Sequence, residues 1–146
     1  MLSETNKTVS RRFFEEVFSK GKINVLDEII AKDHVNNGPG NLPGSPTGPE
    51  GAKQLVTVYR NAFPDLHFRI DEQLTEGDKV MTRWTAVGTH QGELAGISPT
   101  SKTATVTGIV VDRLENGKIA ESWGIFDQFG MMQQLGLIPT PEIAAK

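Results

Sequence analysis

The stretch Lys118-Ile119-Ala120-Glu121-Ser122-Trp123-Gly124-Ile125-Phe126-Asp127 decides the fold. Apolar and polar residues alternate along it, and Asn116-Gly117 before it suits a two-residue hairpin turn, so it reads as a strand. Strand side chains point alternately to two faces, which puts Glu121, Trp123, Ile125 and Asp127 on one of them. An aspartate on an otherwise apolar face is either a solvated strand end or a carboxylate held in an apolar pocket to move protons.

Working outward from the turn, Glu115 pairs with Lys118 and Leu114 with Ile119. The same count sets Asp112 against Glu121, Val110 against Trp123, Gly108 against Ile125 and Val106 against Asp127. The Trp123 face is assigned to the interior. The opposite face, with Thr105, Thr107, Ile109, Val111 and Arg113 against Ala120, Ser122, Gly124 and Phe126, is assigned to solvent or a subunit contact. Two more strands precede this pair, Leu66 to Leu74 and Lys79 to about His90, joined by a turn at Glu76-Gly77-Asp78. A Gly/Pro loop from Gly92 to Lys102 leads into the strand from Thr103 to Leu114.

The first third of the chain has helical rather than alternating periodicity. Ser3 can cap a helix to about Ser19-Lys20 with Val9, Phe13 and Val17 on one stripe, flanked by Phe14 and Phe18. Val25, Leu26, Ile29 and Ile30 predict a second, short helix ending near Lys32. Pro49 opens a third, running to about Ala62 with Leu55, Val58 and Tyr59 inward. Between them, four glycines and three prolines from Gly38 to Gly48 make Asn36 to Pro49 a long loop of the kind used as a lid or binding loop. A terminal helix from Phe129 to Leu135 stops at Gly136. Three helices, a four-stranded antiparallel meander and a closing helix predict an α+β domain spanning residues 1–146. Its helices cover a curved, cone-shaped sheet that encloses one pocket.

The 146 residues carry a formal charge of −3 and no cysteine, which removes thiolate chemistry and disulfides. No basic stripe suits nucleic acid, and no segment reaches bilayer-spanning length. With no signal peptide visible at the N-terminus, the expected location is the cytoplasm. Phosphate-loop, nucleophile-elbow and zincin motifs are missing, and His34, His67 and His90 lack metal-ligand spacing. An enzyme of this composition is expected to transfer protons without a cofactor or metal.

Asp127 is the candidate general acid/base, its pKa raised if it is desolvated beside Val106 and Trp123. The competing role is a cap on the closing helix through the amide of Phe129 or Gly130. His90 either faces the pocket or is an exposed strand-end residue that steadies the Gly92 loop. Trp123 is expected to form a pocket wall, with Phe14 and Tyr59 also on the substrate. The partner expected of such a pocket is a small hydrophobic molecule, and the threonine-rich sheet face would make a homodimer or higher homo-oligomer. A pocketed binding protein without catalysis, or an interaction module, would share these features.

Several segments resemble the SnoaL-like polyketide cyclases of the nuclear-transport-factor-2-like superfamily. They include Ala62-Phe63-Pro64-Asp65-Leu66, Glu76-Gly77-Asp78-Lys79-Val80 and Gly88-Thr89-His90-Gln91-Gly92-Glu93-Leu94. Gly96-Ile97-Ser98-Pro99-Thr100, Asn116-Gly117-Lys118-Ile119, Glu121-Ser122-Trp123 with Asp127, and Gln134-Leu135-Gly136 continue the match in order. The resemblance implies a cone-shaped α+β barrel and ring closure by intramolecular aldol condensation without metal or organic cofactor. It also implies an aspartate at the end of the last strand as general acid/base, the place Asp127 holds. Members often carry histidine at the end of an Asp-x-Val-x-His motif. Here Asp33-His34-Val35-Asn36-Asn37 puts Asn37 there, able to donate a hydrogen bond to a carbonyl or enolate but not to exchange a proton.

Overall fold

The computed structural model describes residues 2–38 and 44–139. Helix α1, Leu2–Arg12, continues as a π-helical turn over Phe13–Phe18 and stops where Gly21 takes a positive φ. A 3-10 turn at Ile23–Val25 leads into the short α2, Leu26–Ile29. Strand β1 is Ile30–Asn36, and α3 is Pro49–Ala62, with Pro49 in its first turn as expected. Then come β2 (His67–Glu76), β3 (Lys79–Thr89), β4 (Thr103–Glu115), β5 (Lys118–Phe126) and α4 (Gln128–Gln134). The sheet order is β1-β5-β4-β3-β2 and the sheet is not closed on itself. The four-strand meander is antiparallel, and β1 adds to it in parallel with β5.

The α+β class and its helix-covered curved sheet are as the sequence predicts, with two local corrections. The segment read as the end of the second helix is strand β1. Its buried residues are Ile30 and His34, four apart, a spacing that imitates a helix face. Its pairing with β5 is irregular between Ile30 and Val35, so no period-two signal survives in the sequence.

The second correction is a β-bulge. Glu115 pairs with Lys118 and Leu114 with Ile119, but Arg113 then pairs with Glu121, leaving Ala120 as the extra residue. Ile119 and Ala120 are both buried, so two consecutive side chains turn away from water and the parity of β5 reverses beyond them. Asp112 therefore faces Ser122, Val110 faces Gly124 and Gly108 faces Phe126. Trp123 and Ile125 point outward, 39% and 67% exposed.

The main core fills the space between the helices and the inner sheet face. Val17, Leu26, Ile29, Val56, Val80 and Ile119 are almost wholly buried there. The π-helical turn brings Phe13, Phe14 and Phe18 close together, with Phe14 and Phe18 against Phe68. On β4, Gly108 allows the Trp84 indole to lie against the strand; a Cβ there would collide with the ring.

Candidate active site

The cone encloses a cavity of about 250 Å³. Its apolar wall includes Phe14, Phe18, Tyr59, Trp84, Val106 and Phe126. The polar wall is made where β1, β4 and β5 meet, by His34, Asn36, Asp112 and Ser122. No lysine or arginine appears among the described lining residues.

The backbone fixes these side chains in place. Asp112 and Ser122 are cross-strand partners, and Asn36 pairs with Ser122 across the parallel edge. The returning loop is pinned to the same strand, with the Gly48 amide donating to the His34 carbonyl at 2.9 Å. Both flanks of that loop, Gly38 and Ser45 to Gly48, border the cavity. The centre of the predicted lid, residues 39–43, lies outside the described residues.

Asp112 is 4% exposed and accepts two hydroxyl hydrogen bonds, from Ser122 Oγ to Oδ1 at 2.7 Å and from Ser10 Oγ to Oδ2 at 2.9 Å. His34 Nε2 lies 3.0 Å from the same Ser122 Oγ. Burial pushes the Asp112 carboxyl up to about 6, against the opposing effect of Ser122 and Ser10. Burial also lowers the His34 pKa, partly offset by Glu121 and Asp33. At neutral pH the site thus holds a mostly ionised carboxylate linked through a serine hydroxyl to a neutral imidazole. That pairing can accept a proton and return it.

The predicted site residues divide. Phe14 and Tyr59 line the cavity, and burial raises the Tyr59 hydroxyl pKa, which keeps it a neutral donor. Trp123 does not, because the bulge turns it to the outer face. Asn37 ties β1 to β5 instead, its Nδ2 donating to Glu121 Oε2 at 3.0 Å and to the Ser122 carbonyl at 3.2 Å.

His90 is neither exposed nor on the cavity wall. It is fully buried behind Phe63, with ring centroids 5.5 Å apart. Its Nδ1 accepts the Thr100 amide at 3.2 Å, anchoring the loop that follows β3.

Asp127 is exposed rather than buried in the cone, and its Oδ1 accepts the Gly130 amide at 2.9 Å as the cap of α4. The desolvated environment expected for it belongs to Asp112. We predict that Asp127→Ala costs about 0.5–2 kcal/mol of stability, the usual cost of losing an N-cap, measured by urea denaturation.

His34, Ser122 and Asp112 were not legible as a group. The alternation of β4 puts Asp112 on the cavity face, but a register without the bulge sets Glu121 opposite it and sends Ser122 to solvent. The signal was an aspartate closing the apolar run Ile109-Val110-Val111 in a long central strand.

A curved sheet capped by helices thus surrounds an apolar cavity with one polar wall, the concave shape in which ligand sites are most often found. The chain belongs to the SnoaL-like polyketide cyclase family, whose model matches residues 8–135. It is 31% identical over 131 residues to the aklanonic acid methyl ester cyclase DnrD of Streptomyces peucetius, covering 87% of this chain and 89% of that one. It is 32% identical over 122 residues to the nogalonic acid methyl ester cyclase of Streptomyces nogalater, covering 82% and 89%. Among solved structures, IdmH from Streptomyces antibioticus superposes with a TM-score of 0.77 at 32% identity over 90% of this chain and 98% of that one. TsrD from Streptomyces laurentii shares the fold at a TM-score of 0.83 and 24% identity over 92% and 97%. Among the described residues, no helix is long and apolar enough to cross a membrane.

Proposed function

We propose that this protein is a cofactor-independent cyclase or isomerase that moves a proton next to a carbonyl group of a small, uncharged, largely apolar compound. The observation that carries the reading is the polar wall of an otherwise apolar cavity, where His34 is linked through Ser122 to the buried carboxylate of Asp112. His34, held by Ser122 and Asp112, takes the acid/base role that the sequence assigns to Asp127. Tyr59 and Phe14 hold the ligand. With no cation on the described wall and a carboxylate already there, a free acid would be repelled and desolvated at a cost, whereas its ester would not. The relatives' named methyl esters are therefore the first substrates to try.

Incubation with aklanonic acid methyl ester and nogalonic acid methyl ester, followed by mass-neutral product detection, tests the reading together with a simpler probe. That probe is hydrogen–deuterium exchange at the carbons alpha to the carbonyl of 2-tetralone in heavy water. Accelerated exchange or cyclisation supports an enzyme. Saturable binding of these compounds with neither reaction would instead make the chain a ligand carrier.

The same reading makes the outer sheet face a homodimer surface. Ile109 pairs with the outward Ile125, and Val111 with Trp123, an apolar strip on a sheet face that no described helix covers. Ile125→Glu is expected to convert a dimer to monomer in analytical ultracentrifugation; a monomeric parent protein would remove this part of the proposal.

A further inference from the structure

Hydrogen-bond accounting around Ser122 fixes where the proton sits on His34. An ionised carboxylate only accepts, and Asp112 Oδ1 takes the Ser122 hydroxyl at 2.7 Å while Oδ2 takes that of Ser10 at 2.9 Å. A serine has one hydroxyl proton, and that of Ser122 is committed to Asp112. Its remaining contact, with His34 Nε2 at 3.0 Å, must then be one in which the nitrogen donates. The imidazole is therefore in its Nε2–H tautomer, and the lone pair is on Nδ1. Among the described residues, no hydrogen-bond partner occupies Nδ1, and the ring belongs to the cavity wall.

We infer that His34 Nδ1 is the atom that takes and returns the proton, and that Asp112 and Ser122 are positioning residues that hold the imidazole in the tautomer this requires. The inference rests on the cavity being an acid/base site and specifies how that site works. Nδ1 removes a proton from the carbon alpha to a carbonyl, and the C–H electron pair moves to the carbonyl oxygen as an enolate. The imidazolium so formed keeps Nε2–H on Ser122, whose own proton stays directed at Asp112. The new positive charge therefore faces a carboxylate through one hydroxyl. In a cyclisation the enolate carbon attacks a second carbonyl carbon, and Nδ1–H protonates the resulting alkoxide. Product and substrate are isomers, and the relay returns to its starting state.

Ser10 has a separate part in this. By occupying Oδ2 from helix α1, it leaves Oδ1 for Ser122 and ties the helix to the relay. The charged groups acting on His34 are Glu121 on β5 and Asp33 on its own strand, and the Asp112 carboxylate on β4 is linked to it through the Ser122 hydroxyl. Protonation of Asp112 would let the carboxyl donate to Ser122, and Ser122 would then be free to donate to Nε2. The tautomer would invert and leave Nδ1–H, an acid rather than a base.

Long-range proton–nitrogen correlation spectra of the ¹⁵N-labelled full chain at pH 7.5 test this without any substrate. The expected result is Nε2–H with an unprotonated Nδ1 in the parent protein. Asp112→Asn and Ser122→Ala should show mixed tautomers and exchange 2-tetralone protons ~10–100-fold more slowly, the size of loss usual for a group that orients a functional imidazole. An Nδ1–H tautomer in the parent protein overturns the inference, whether or not the variants fold. So does a tautomer and exchange rate unchanged in Asp112→Asn. In either case slow exchange by His34→Gln would leave the acid/base reading standing. Unaltered exchange by His34→Gln would end that reading itself.

Discussion

At pH 7.5, Asp112→Asn is expected to unfold at a higher temperature than the parent protein, and its advantage should vanish as the pH is lowered toward 4. The cause is a carboxyl whose proton is held more tightly in the fold than in the unfolded chain, at about 6 against a reference of 3.8. Between those values the folded state binds more protons than the unfolded one, so stability falls as pH rises through the window. Below about 4 both states are protonated and nothing is lost. Above about 6 the loss is complete, on the order of 3 kcal/mol for a difference of roughly two pK units. Asparagine keeps an oxygen to accept one serine and an amide to donate to the other, while removing the charge. For a chain of this size the gain corresponds to ~5–10 °C in Tm. Calorimetry of both proteins across pH 4 to 8 checks the size and the sign. A variant less stable than the parent at every pH would show that the Ser10 and Ser122 bonds outweigh the cost of burying the charge.

His34→Gln should lower cavity-catalysed proton exchange by ~10²–10⁴-fold, the range for deleting a positioned acid/base group. Glutamine retains polar atoms that can reach Ser122, so thermal stability should change little and the loss should lie in kcat. The pH dependence follows from the same pair. Exchange by the parent protein should be level well above pH 6 and decline as the pH falls through about 6, since Asp112 takes a proton there and burial lets His34 protonate only below its ordinary value. Protonation of either group removes the base, one directly and the other through the tautomer.

The free energy lost by keeping Asp112 ionised and buried is large against the marginal stability of a domain. A serine on α1 and a serine on β5 are placed to hold it, which is more investment than packing alone would require. The surrounding wall is aromatic and uncharged, so a bound carbonyl compound would lose its water and strengthen every electrostatic contact at the polar end.

Most of this architecture can be read from local pattern. The Asn116-Gly117 turn, the Pro49 start of α3, the stop at Gly21 and the Asp127 cap all follow from rules that act within a few residues. What cannot be read is nonlocal. Strand β1 exists because β5 offers it a parallel edge, and only Ile30 and His34 of its residues are buried. Ala120 looks like any small strand residue, yet its insertion exchanges the two faces of β5 beyond it. The site suffers most from that exchange. A one-residue slip moves Trp123 and Asp127 from the expected pocket to the outside and brings Ser122 inside, against Asp112 and His34. The aromatic wall survived because Phe14 and Tyr59 sit on helices whose inward stripes do not depend on the sheet register.

The comparison that decides most directly where the chemistry happens is the rate of alpha-proton exchange in 2-tetralone, catalysed in heavy water by His34→Gln and Asp127→Asn side by side. Loss of exchange in the first with retention of the parent rate in the second is the expected result. Retention in the first with loss in the second would contradict it, and would return proton transfer to the exposed carboxylate at the head of α4.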